Sequence, residues 1–203
     1  MSIRKSSIPV FLVLAALVVS SASAYVLLSP RRTWPSAPRI TVDNRGNSTI
    51  TDSDGGATAV VNALNSNAAW NGAGTGTRLS AVKGSVASFT LGDGNVMLNF
   101  RDPVHACNGS CLAATFTGYY TGSTITDADI VTNTKNPLTS LNEPDGCSGE
   151  YYVEGIMVHE VGHVLGLGHS TVTGATMYPS VSACNNGPAS IEADDKAGIN
   201  DLY

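Results

Sequence analysis

"HEVGHVLGLGHSTVTGATMYP", residues 159–179, carries three of the four histidines of a 203-residue chain. His159, Glu160 and His163 spell H-E-x-x-H, and the apolar residues Val153, Met157, Val161 and Val164 around them recur at helical spacing with one buried face. Residues four apart on a helix lie one turn above each other, so both imidazoles can reach a single ion at about 2.0–2.1 Å. Glu160 follows the first histidine directly, a poor place for a third ligand and a good one for taking a proton from an activated water. Gly166 ends the helix, because glycine adopts the left-handed conformation without a Cβ penalty, and the turn lets His169 return to the same ion. Three nitrogen ligands leave one tetrahedral position open, the arrangement of a catalytic rather than a structural zinc. A bare H-E-x-x-H does not decide this, since two helical histidines can be ordinary surface residues.

The longer pattern H-E-x-x-H-x-x-G-x-x-H, with Met177 following in "GATMYP", resembles the metzincin clan of zinc endopeptidases. Astacin-like and serralysin-like members place a tyrosine two residues past the methionine, where this chain has Pro179. "MYP", Ser170 after the last histidine and the terminal "DDKAGINDLY" are instead similar to the matrixins, the matrix-metalloproteinase branch. This resemblance is carried by residues 152–203 and is faint before them. It implies an α+β, layered zincin fold. Its parts would be a twisted, mostly parallel sheet with one antiparallel edge strand, an active-site helix, and a C-terminal subdomain with a methionine turn and a final helix. One catalytic zinc would be held by His159, His163 and His169, with Glu160 as general base and acid. Met177 would form a hydrophobic base beneath the metal, and Tyr178 and Pro179 would line the specificity pocket. One of Asp194 and Asp195 would brace the methionine turn, although carboxylates at a helix N-terminus are explained by the helix dipole alone.

Two departures limit the resemblance. "CLAATF" is similar to the family's edge strand L-A-H-A-F, but Ala114 stands for the histidine, and Val131 stands where a further ligand is expected, so the family's structural zinc is expected to be missing. No cysteine of the P-R-C-G type that keeps animal matrixins latent lies between Ala24 and the domain. Either the enzyme is exported active, or the arm through Trp34 blocks the cleft.

Residues 1–24 read as an export signal: Arg4 and Lys5 precede an apolar run from Ile8 to Val19, and Ala22-Ser23-Ala24 offers a small-x-small cleavage site. The run is shorter than the roughly 20 residues a membrane span needs. Residues 25–38, rich in proline and irregular, read as an N-terminal arm, and residues 39–203 as a single catalytic domain with room for a proper core. Removing Arg4 and Lys5 makes the chain still more acidic than its formal charge of −5, which excludes a basic nucleic-acid footprint. After cleavage no membrane attachment is expected, and a monomer is the default.

Along the domain, "RITVDN" (39–44) predicts a strand and "ATAVVNALNSNAAW" (57–70) a helix. "VASFTLGDGNVMLNF" has two short apolar runs flanking "GDG", a hairpin or loop signal, and "CLAATFTGYY" and "DIVTN" predict two strands separated by a turn-rich "TGSTITDA". The active-site helix is expected to begin near Glu150.

Export places four cysteines in an oxidising compartment, where they read as two disulfides with three pairings open. Cys147–Cys184 would clamp both ends of the catalytic segment, contributing roughly 3–4 kcal/mol in the chain-entropy model. Cys107–Cys111 would then close a small loop. A metal site of His105, Cys107 and Cys111 is the weaker alternative, lacking a fourth ligand. The acidic pairs Asp52/Asp54 and Asp127/Asp129 are candidate calcium ligands, although such pairs in turns are more often solvated.

Functionally, a secreted zinc endopeptidase acting on protein or peptide substrates leads. A catalytically silent, zinc-stabilised binding or adhesion domain would be free to lose Glu160, which this chain keeps. A hydrolase of a non-protein amide, such as a cell-wall crosslink, is the third reading.

Overall fold

A computed structural model describes residues 24–74, 78–86 and 89–203, with the side chain of Tyr119 left out. All of the expected leader except Ala24 therefore lies outside the described residues. Strand β1 (Arg39–Asp43) follows from the β-branched alternation of "RITVD", which buries Ile40 and Val42 in the core. Helix α1 (Ala57–Asn65) packs Val60 and Leu64 into the same core. It is shorter than the apolar pattern through Trp70 predicts. Ser66 takes an extended conformation and ends it, and a separate 3-10 turn, Trp70–Gly72, carries Trp70 inward.

Strand β2 (Ser80–Gly84), whose alternation is too short to announce itself, pairs parallel to β1. In the stretch 86–100 the described residues around "GDG" form a loop, one of the two readings of that signal, and not a hairpin. Among the described residues only the second half of the stretch becomes a strand, β3 (Val96–Asn99), and it pairs parallel to β1 on one side and to a later strand on the other. In that position both backbone edges of β3 are hydrogen-bonded and Val96 and Leu98 are buried, which a two-stranded hairpin would not achieve.

Strands β4 (Ala113–Thr121) and β5 (Thr124–Thr132) form an antiparallel hairpin turning at Gly122 and Ser123. Most of "TGSTITDA", read as a turn, is thus the first half of β5, because its β-branched residues suit a strand once the turn tightens at Gly122, φ 61°. The sheet runs β2-β1-β3-β5-β4, parallel except for β4 at the edge.

A short parallel pair, β6 (Leu138–Thr139) and β7 (Tyr151–Tyr152), leads directly into helix α2 (Val153–Val164). The helix begins past Glu150 because the two tyrosines stay extended. Val153, Met157, Val161 and Val164 are fully buried, but so are Val158 and most of the remaining surface, so α2 is enclosed rather than one-sided. Helix α3 (Ala193–Leu202) closes the chain. Among the described residues no helix is long and apolar enough to cross a membrane.

Candidate active site

Helix α2 carries His159, Glu160 and His163 on its last two turns. Gly162, between them, is required by packing: a Cβ there would overlap Met177 Sδ and lie 2.7 Å from the Trp70 ring. Trp70 in turn donates its indole N–H to Val158 O at 2.8 Å, fixing the helix from below. The helix ends at Val164, and Gly166 takes φ 105°, where a Cβ would meet Arg32 O at 2.8 Å and Leu202 Cδ2 at 2.9 Å. The chain then reverses, and His169 comes back over the helix.

The three imidazoles converge: one ring nitrogen from each of His159, His163 and His169 lies within 4.8 Å of the others. Their tautomers follow from their partners. His159 Nδ1 faces Thr176 O at 2.6 Å and His163 Nδ1 faces Leu167 O at 2.8 Å, and a carbonyl can only accept, so both Nδ1 atoms carry the proton. Nε2 is left with its lone pair on both rings, the state a metal requires. His163 Nε2 and His169 Nε2 stand 3.2 Å apart. Burial lowers the pKa of all three histidines, favouring neutral imidazoles. Neutral, nitrogen-only donors around one point suit zinc, so the residues fit the ion that the motif implies.

Glu160 is buried, and desolvation pushes its pKa up, opposed by His163 and by a hydrogen bond from Thr115. Thr115, on β4, donates its hydroxyl to Glu160 Oε2. That contact was not legible in the sequence, where Thr115 is one strand residue among several.

The methionine turn is held by the last helix. Asp195 accepts Thr176 N–H at 2.7 Å, Met177 N–H at 3.0 Å and Glu192 N–H at 2.9 Å, the last as half of a capping box. Since Thr176 O receives the His159 ring, Asp195 acts on the histidine through one peptide unit. Asp194 is turned elsewhere, accepting Ser170 Oγ at 2.7 Å and the backbone N–H groups of Ala24 and Tyr25. The arm continues along the turn after α2, with Leu28 N donating to Gly166 O, Gly168 N to Val26 O, and the Trp34 indole to Val164 O at 2.7 Å. No residue of 24–38 lines the cleft.

That cleft, of about 420 Å³, is lined by His159 and His169 and bordered by Leu112, Glu160, Tyr178 and Pro179. Met177 is buried against α2. Cys107 is bonded to Cys111 and Cys147 to Cys184. Both sulfurs of the Cys107, Cys111 and His105 grouping are therefore engaged, which corrects the metal alternative there. Asp54 accepts Thr58 and Lys83, and Asp52 accepts Gly56 N–H and Ser140 Oγ, so both serve the start of α1. Asp127 and Asp129 sit in β5 and are 1% exposed, so the solvated-turn reading does not hold for them.

The family model described as Matrixin matches residues 83–203. The chain is similar to Metalloendoproteinase 4-MMP of Arabidopsis thaliana, 45% identical over 51 residues that make up 25% of this chain and 15% of that protein. It is similar to Metalloendoproteinase 1 of Glycine max, 40% identical over 70 residues, 34% and 20% of the two chains. Matrilysin of Rattus norvegicus is 40% identical over 63 residues, 27% of this chain and 24% of that one. In each case the matching part spans less than a quarter of the relative's length.

Proposed function

The chain belongs to the matrixin family, and from that membership we propose that it is a secreted, zinc-dependent endopeptidase acting on protein or peptide substrates. The observation that carries the reading is the convergence of His159, His163 and His169, two of them with Nδ1–H committed to backbone carbonyls, beside a buried Glu160. These three histidines hold the metal. When bound, zinc supplies a Lewis acid that activates water and offsets negative charge growing on the scissile carbonyl oxygen.

Glu160 is the proton carrier. Burial raises its proton affinity, so its carboxylate accepts a proton from the attacking water and returns it to the departing amine. The substrate lies extended along residues 112–117, which run into the edge strand β4, adding to the sheet by main-chain hydrogen bonds. Tyr178 and Pro179 shape the pocket beyond the scissile bond, and Met177 is the apolar floor under the metal site. Residues 1–24 are a leader removed on export, 25–38 an arm, and 39–203 the catalytic domain of a monomer. The two disulfides suit an oxidising compartment.

Glu160→Gln keeps the size of the side chain and loses its basicity. It is expected to retain one zinc per chain while peptide hydrolysis falls by about 10²–10⁴-fold or more. Retained turnover with zinc bound would remove Glu160 from the mechanism.

A further inference from the structure

We propose that Thr115 is a positioning residue for Glu160, fixing which carboxylate oxygen faces the reacting water. The proposal rests on the reading of Glu160 as the proton carrier. Thr115 lies in the edge strand β4, opposite Ile130 of β5, a core residue, so its side chain is on the sheet face that packs against α2. Its hydroxyl reaches Glu160 twice, donating to Oε2 and lying 3.1 Å from the Glu160 backbone oxygen. One hydroxyl has one proton, and the carboxylate is the stronger acceptor, so the backbone contact is the secondary one.

A glutamate has three rotatable side-chain bonds, and a general base is useful only in the rotamer that aims a lone pair at the proton it takes. Among the described residues Oε1 takes no hydrogen bond, whereas Oε2 is anchored by Thr115. The anchored oxygen is thereby removed from the contest and Oε1 is left to face the cleft, which Glu160 helps to line. Because β4 is also the strand along which substrate is expected to lie, Thr115 ties the register of the base to the strand that registers the peptide. A valine at this position would have the same branched shape and suit the strand equally well, but would leave Glu160 free to rotate.

The test compares Thr115→Val, Thr115→Ala and Thr115→Ser with Glu160→Gln in one assay, hydrolysis of a fluorogenic peptide, with zinc content measured on each purified protein. Loss of the anchor is expected to lower kcat by about tenfold to a hundredfold in Thr115→Val, with KM and zinc content unchanged, because the lost interaction aligns the base and does not bind substrate. Thr115→Ser restores the hydroxyl and should recover most of kcat. Thr115→Ala serves where the valine variant does not fold. Unchanged kcat in a folded valine or alanine variant overturns the proposal, as does a kcat loss that serine fails to restore. If Glu160→Gln stays active, the reading beneath the proposal fails instead, and the two failures are told apart in the same experiment.

Discussion

The ring of His159 is governed by a carboxylate it never touches. Asp195 holds Met177 N–H, and the carbonyl of that same peptide unit, Thr176 O, holds His159 Nδ1–H, so the orientation of this ring depends on a residue of the last helix. Asp195→Ala would leave Thr176, Met177 and Glu192 N–H groups without their acceptor. Loss of roughly 3–5 kcal/mol of stability in urea unfolding, and about 10–100-fold in zinc affinity by competitive titration, is expected. Unchanged zinc affinity would show that the peptide link carries no orientation. A second carboxylate matters differently. Asp129 is buried with one oxygen on Met97 N–H at 2.9 Å and the other without a partner, and desolvation above all, with Asp127 and Asp93 nearby, pushes its pKa up to about 7. In an unfolded chain it would titrate near pH 4, so the folded state holds the extra proton between about pH 4 and 7. Its contribution to stability is therefore fully present below about pH 4 and lost as the pH rises through about 7. Asp129→Asn keeps an acceptor for Met97 and removes the charge. It is expected to flatten that decline and to be the more stable form above pH 7; an unaltered pH profile of unfolding would contradict this.

At the scale of elements, α2 and the methionine turn are one unit because several constraints act on their ends at once. Cys147 precedes the helix by six residues and is bonded to Cys184, 37 positions later, past the turn. Cys184 also donates its backbone N–H to Glu150 O at 2.9 Å, so the bridge continues into the chain that feeds the helix. Replacing Cys147 and Cys184 with serine is expected to cost about 2–4 kcal/mol, read as a lower melting temperature. The remaining Cys107–Cys111 bridge closes a loop too short to compensate. A melting temperature equal to that of the native chain would mean that packing alone holds the segment. The elements also differ in how far they could be read in advance. The helix over 153–164 was legible because its period and its histidine spacing are local facts. Strand β2 was not, since Ser80–Gly84 becomes a strand through β1, about 40 residues earlier. Nor was the first half of β5, whose turn-like residues become a strand only once the hairpin with β4 tightens at Gly122 and Ser123.

For the whole molecule, the three histidines that converge and the glutamate beside them lie in one stretch of sequence, while their supports do not. Thr115, Asp195 and the carbonyls of Thr176 and Leu167 act through single atoms delivered by other elements, and a one-dimensional pattern does not record that. The fold brings four separate parts to one place: the edge strand β4, helix α2, the methionine turn and the N-terminal arm, which hydrogen-bonds to the turn after α2. Under the proposed function, their common purpose is to hold one zinc over a cleft beside an edge strand, and that zinc would supply the proteolytic chemistry. The most direct measurement follows casein digestion by the purified chain while zinc is stripped by a chelator and then returned, with metal content recorded at each stage. Digestion should stop as the single zinc leaves and resume when one equivalent is restored. Digestion that persists in the metal-free chain, or zinc-loaded protein that never cleaves casein or any peptide, would contradict the account.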